Sequence, residues 1–214
     1  DVSDGTVRID GHDVRDVTLE SLRAAIGVVS QDPHLFHDTV MANLRYARPE
    51  ATDEEMHEAL ERASATTLME RSGKGLETRL GESGLRVSGG ERQRLSIARA
   101  LLRHPRLFIF DEATSALDSI TEQEITSAIR EVSSHKEHMV ILIAHRLSTV
   151  MHADTIHVLE KGRIIESGTH EALLENKGLY YAMWRQQIGE REARLIQSVE
   201  EAVIDEPEAE AALV

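Results

Sequence analysis

The run from Val87 to Asp118, VSGGERQRLSIARALLRHPRLFIFDEATSALD, constrains this chain more than any other stretch. Ser88-Gly89-Gly90 opens a helical pattern in which Leu95, Ala98 and Leu102 share one face, with Ile97 and Leu101 beside it. Pro105 ends that helix, because the residue before a proline avoids the helical region. A short apolar strand over residues 107–110 follows and ends in two acids, Asp111 and Glu112. A helix followed by a wholly apolar strand is one step of a parallel α/β core, and it places both carboxylates where ligands bind in open α/β sheets.

The rest of the chain repeats this alternation. Residues 6–10 read as a strand turning at Gly11. A helix over 18–25 leads into a buried-strand pattern at 26–30, broken by Gln31-Asp32-Pro33. Residues 39–46 are helical. Thr52 is an N-cap candidate followed by Asp53, Glu54 and Glu55, and Met56, Leu60 and Ala63 continue at helical spacing. Gly73, Gly75, Gly81 and Gly84 make 71–88 a loop with brief structure. A helix over 120–132 and an apolar strand over 139–144 complete the core pattern. A hairpin over 155–159 and 163–166 turns at Lys161-Gly162, and two short helices follow over 170–175 and 179–187. The fully apolar runs predict a parallel sheet covered on both faces, with the 139–144 strand fully buried.

Composition sets the outer limits. The 214 residues suffice for one domain with a small subdomain, and 41% hydrophobic content supports a core. Aromatics are only 3%, so that core is built mainly from Leu, Ile, Val and Ala. Without cysteine there are no disulfides, thiolate metal sites or thiol nucleophiles. The net charge is −14, and residues 190–214 supply −6 of it through eight acids and two arginines, so no basic nucleic-acid footprint is visible. No apolar stretch approaches the roughly 20 residues that span a bilayer.

The candidate chemistry is phosphate chemistry. Asp111 suits Mg²⁺, and Glu112 suits polarisation of an attacking water. The start of a helix at Ser88-Gly89-Gly90 offers backbone N–H groups and a positive helix end to a phosphate. His145 follows the 139–144 strand, where it could meet a γ-phosphate and hold the water with Glu112, and Gln31 ends a strand, where its amide could reach Mg²⁺ or the water. Each has a plainer reading alone: a solvated strand end, a helix cap, a surface or capping histidine in a chain that has eleven, an isolated glutamine.

Their joint order carries more. Gln31, Ser88-Gly89-Gly90, Asp111-Glu112, Asp118 and His145 follow one another, each at a strand end, turn or helix start, and so over about residues 1–187 the chain resembles the nucleotide-binding domain of ATP-binding cassette (ABC) transporters. VSGGE is similar to the LSGGQ signature, RLFIFDE to the Walker B strand, Ser115-Ala116-Leu117-Asp118 to the D-loop, Gln31 to the Q-loop and His145 to the switch histidine. Leu35-Phe36, residues 39–43, Gly81-Glu82-Ser83-Gly84, His145-Arg146-Leu147-Ser148 and Gly168-Thr169-His170 resemble the exporter branch.

The resemblance implies a P-loop NTPase (RecA-like) parallel-sheet core. A small α-helical signature subdomain is inserted at roughly 38–104, and an amphipathic, then acidic tail occupies 188–214. It implies ATP as substrate with Mg²⁺ at Asp111 and Gln31. Glu112, His145 and Gln31 would be the catalytic residues, and Ser88, Gly89, Gly90, Glu91 and Asp118 would face nucleotide. Glu82, in the family's X-loop, would contact a transmembrane domain. The implied partners are a second, head-to-tail nucleotide-binding domain and that transmembrane domain, at the cytoplasmic face of a membrane, with no nucleic acid.

Two departures accompany the match. Val87 and Glu91 stand where the signature usually has Leu and Gln. No G-x-x-x-x-G-K-[ST] phosphate loop occurs among these residues; Ser72-Gly73-Lys74-Gly75 fails the pattern at Gly75 and at Leu68. The expectation is an N-terminally truncated domain that alone binds ATP weakly and leaves apolar strand faces uncovered. The weighed alternatives are a non-catalytic partner supplying only the signature face in trans, and an ABC-type DNA-repair ATPase. The second conflicts with the acidic charge and with the 55 residues between Gln31 and Val87, too few for a long coiled coil.

Overall fold

The computed structural model describes residues 2–81, 84–114, 119–134 and 138–189, and the chain falls into two units, residues 1–145 and 146–214. Glu82, Asp118 with the rest of its turn, and the tail from residue 190 lie outside the described residues.

The first unit opens with a small antiparallel hairpin, β1 (Arg8–Ile9) and β2 (His12–Asp13). Helix α1 (Leu19–Ala25) is capped by Thr18, whose hydroxyl accepts from the Ser21 N–H, and it runs directly into β3 (Ile26–Val29). Four helices follow: α2 (Val40–Arg45), α3 (Asp53–Arg62), α4 (Thr67–Ser72) and, after a 3₁₀ turn at Gly75–Glu77, α5 (Gly89–Leu102). Thr52 caps α3 as expected, in a reciprocal box with Glu55: the Glu55 N–H donates to the Thr52 hydroxyl at 3.2 Å, and the Thr52 N–H donates to Glu55 Oε2 at 2.9 Å. Helix α4, not anticipated from the sequence, overlaps the expected 71–88 loop only at its last two residues; Gly73 ends it in a left-handed cap at φ 65°.

Strands β4 (Leu107–Asp111) and β5 (Met139–Ile143) complete a parallel sheet of order β3-β4-β5, with α6 (Ser119–Ser134) between them in sequence. The register pairs Val29 with Phe110 and Phe110 with Leu142. Val29, Phe108 and Phe110 bury on one face, against Leu95, Ile97, Ile125 and Ile129 of α5 and α6, with Val140 and Leu142 packed at the edge of that core. The α/β architecture is therefore the expected one.

The expected two-sided burial is not. Val28 is 58% exposed, and Met139, Ile141 and Ile143 are 67%, 42% and 49% exposed. The strand over 139–144 is half-buried rather than fully buried. An apolar run states that a strand tolerates burial on both faces; burial itself requires a layer on each, and the described helices of this unit cover only one face.

The second unit begins with the short helix α7 (Leu147–Val150). The antiparallel hairpin β6 (Ile156–Glu160) and β7 (Arg163–Gly168) turns at Lys161 and Gly162, both at positive φ, as the residue types suggest. Helix α8 (His170–Asn176) is capped by Thr169, and a further helical run covers 179–189. The Glu166 carboxylate accepts from the N–H groups of Leu179 and Tyr180 at the start of that run, and buried His170 bonds the Tyr180 hydroxyl at 2.8 Å.

Candidate functional site

Because β3, β4 and β5 are parallel and in register, their last residues reach one sheet edge. Asp111 is the final residue of β4 and is exposed. Gln31 lies two positions beyond Val29, which pairs with Phe110, and is likewise exposed. His145 lies two positions beyond Ile143, which pairs with Asp111. Chain reversal is not needed to gather these groups; parallel register alone does it.

Glu112 is the best-defined member. Its backbone sits at φ 49°, a left-handed conformation uncommon for a side chain of this size, and its N–H donates to the Ile143 carbonyl at 2.8 Å. That bond joins the ends of β4 and β5 just past the ladder. The Glu112 carboxylate then meets His145 Nε2 at 2.9 Å, with the glutamate side chain 26% exposed and the histidine 80% exposed. So the two residues proposed from sequence to share the water are in direct contact, a partly shielded carboxylate against an exposed imidazole.

Ser88 is the N-cap of α5 and is exposed; its hydroxyl accepts from the Glu91 N–H at 3.2 Å, and its own N–H donates to Glu91 Oε2 at 2.7 Å. Glu91 thus closes a capping box, and its other carboxylate oxygen accepts from the Arg71 guanidinium. Burial pushes the Glu91 carboxyl up, but the bonds from Ser88 and Arg71 outweigh it and hold it below its ordinary value. Gly90 is buried, and a Cβ there would lie 2.0 Å from Thr121 Cγ2 on α6, so any side chain at this position requires Thr121 to shift.

Two side chains of α5 that the motifs did not point to tie this helix to the end of β3 and to the segment after Gln31. Gln93, 2% exposed, donates from Nε2 to the Ser30 carbonyl at 3.0 Å, immediately before Gln31. Arg99 donates to the His34 carbonyl at 2.7 Å and lies over the rings of Phe36 and Tyr46. A polar residue on an otherwise buried helix face was the available signal for Gln93. Beyond these, the segment after Gln31 shapes a cavity of about 320 Å³ lined in part by Asp32, His34, Phe36, His37 and Arg92.

A Mg²⁺ ion fits the donors present. The Asp111 carboxylate and the Gln31 amide oxygen are hard ligands at one edge, and Mg²⁺ typically takes only one or two protein oxygens, completing its shell with water and phosphate. Among the described residues no group of three or more His, Cys, Asp or Glu could hold a metal ion.

The family model described as "ABC transporter" matches residues 1–115. The iron-sulfur clusters transporter atm1, mitochondrial, of Aspergillus fumigatus is 49% identical over 87% of this chain and 26% of its own length. The beta-(1→2)glucan export ATP-binding/permease protein NdvA of Rhodopseudomonas palustris is 52% identical over 87% of this chain and 31% of its own. A solved bacterial Atm1-family ABC exporter with ATP bound superimposes with a TM-score of 0.79 at 47% identity, covering 88% of this chain and 33% of that one. The chain spans about a quarter to a third of the length of these relatives.

Proposed function

Since the chain belongs to the ABC transporter family, as part of an exporter-type nucleotide-binding domain, we propose that it hydrolyses ATP to power export across a membrane, as one segment of a longer transporter. The observation that carries this reading is the Glu112–His145 contact at 2.9 Å, at the sheet edge where Asp111 and Gln31 also end.

In this reading Glu112 accepts a proton from water as the water oxygen bonds the γ-phosphorus and the bond to the leaving ADP oxygen breaks. Its partial burial and the fixed backbone bond to Ile143 hold the carboxylate in place before attack. His145 orients that carboxylate and, being largely exposed, is placed to reach a γ-phosphate oxygen as well. Asp111 and Gln31 would hold Mg²⁺, which neutralises charge on the phosphates. Ser88 Oγ accepts one bond and keeps its proton for a phosphate oxygen, together with the first N–H groups of α5. That phosphate belongs to the nucleotide of a second, head-to-tail domain, and Asp118 faces the same interface. The domain works at the cytoplasmic face of the membrane, with Glu82 against the transmembrane domain.

Two relatives of similar identity carry printed names with different cargoes, iron-sulfur clusters and a glucan. Cargo choice therefore belongs to the transmembrane domain and not to these residues. The test is Glu112→Gln in the transporter that carries this chain: ATP turnover falls by at least about 100-fold, the order expected on removing a general base, while nucleotide binding persists. Turnover within a few-fold of the parent would sink the assignment of Glu112 and favour a role confined to supplying the signature in trans.

A further inference from the structure

Glu91 poses a physical problem for the proposed role of α5. A helix start that grips phosphate relies on the positive potential of its free N–H groups, and a carboxylate in its first turn opposes that potential. The side chain is turned inward, 6% exposed, with both oxygens engaged: Oε2 by the Ser88 N–H and Oε1 by Arg71. Arg71 reaches it from α4, a separate helix, and is itself 49% exposed with Nη2 directed at the Arg86 carbonyl, 3.5 Å away. A buried carboxylate left without a cation is strongly unfavourable, so the arginine is what allows an acid at this position.

We propose that Arg71 is a positioning residue of the signature: it neutralises Glu91 and locks it into the capping box, so that Ser88 and the first turn of α5 keep the geometry and potential a phosphate requires. The inference rests on the signature reading of Ser88, Gly89 and Gly90 given above. It makes Arg71 and Glu91 a matched pair, in which the acid replacing the usual glutamine needs the arginine and the glutamine would not.

The experiment is a double-mutant cycle on ATP hydrolysis by the transporter that carries this chain, using the parent, Arg71→Met, Glu91→Gln and the double variant. Arg71→Met raises the apparent KM for ATP about tenfold, the scale of one uncompensated charge near a phosphate in a surface-like dielectric, with a smaller change in kcat. In the Glu91→Gln background the same substitution shifts KM less than about twofold, because the interaction it removes is already gone. Arg71→Lys, which keeps the charge, restores most of the parent KM. If Arg71→Met does not fold, as judged by thermal melting, Arg71→Gln, which also removes the charge but keeps a polar side chain, provides the cycle in both backgrounds. An equal effect of the Arg71 substitution with and without Glu91 overturns the proposal. A parent that hydrolyses no ATP overturns the ATPase reading instead, a distinct result.

Discussion

Glu112 and Glu91 show how differently one residue type behaves at two ends of secondary structure. Glu112 follows a strand, sits at φ 49° and holds His145 across a sheet edge. Glu91 lies in the first turn of a helix and is consumed by its own cap and by Arg71. The second arrangement has a pH signature. The Glu91 carboxyl is held below its ordinary value in the folded chain, so its stabilising contribution is complete above the ordinary carboxylate pKa of about 4.3 and is lost as pH falls through the lowered value. Thermal melts of the parent and Glu91→Gln between neutral and acid pH should show the parent's advantage shrinking on acidification; a gap that stays constant or widens would contradict the ion pair. Asn43 makes the complementary point about legibility. It is fully buried and bonds the Phe36 N–H and carbonyl and the Thr39 carbonyl, shaping the segment beyond Gln31, yet nothing in its sequence neighbourhood separates it from a surface asparagine.

At the scale of elements, α5 links more of the candidate site than any strand does. Its N-cap is Ser88, its Gln93 grips the end of β3, and its Arg99 grips the segment that follows. It also packs against α6 with no space at Gly90. Gly90→Ala should therefore destabilise the fold by about 1–3 kcal/mol, the range for forcing an extra methyl into a filled contact. A denaturant midpoint unchanged from the parent would show that Thr121 yields freely. Glycine in a phosphate-binding signature is usually argued from close approach of the ligand; here the neighbouring helix also crowds the position through Thr121. The boundaries of α5, α3 and the β6–β7 hairpin were legible in the sequence because caps, turn residues and hydrophobic periods are local signals. Helix α4 was not, because Gly73 and Gly75 mark a loop at its end and mask the six residues before it.

For the whole molecule, the open face of the sheet has consequences for behaviour. Val28, Met139, Ile141 and Ile143 form exposed apolar surface on strands whose other face is packed. Contiguous apolar surface of this kind promotes association. The 214-residue chain should therefore self-associate with rising concentration and bind an apolar dye. Paired Val28→Glu and Ile141→Glu substitutions should reduce both, as followed by sedimentation and fluorescence. A parent chain that is monomeric and dye-free would contradict this.

The amino-acid order by itself determined the alternation of helices and strands, the caps at Thr52 and Ser88, and the family. The first two rest on periodicity and turn chemistry, readable within a few residues; the family rests on the order of short motifs from Gln31 to His145. Parallel strand order then implied that Gln31, Asp111, Glu112 and His145 share an edge. Only the tertiary structure decided that Glu112 touches His145, that Gly90 packs against another helix, and that the acid in the signature is neutralised. Each of these depends on a partner supplied from elsewhere in the chain: Arg71 lies 20 residues from Glu91, and Ser30 lies 63 from Gln93. A sequence shows which side chains can be buried, charged or bonded; which of them find a counterpart is settled when distant elements meet.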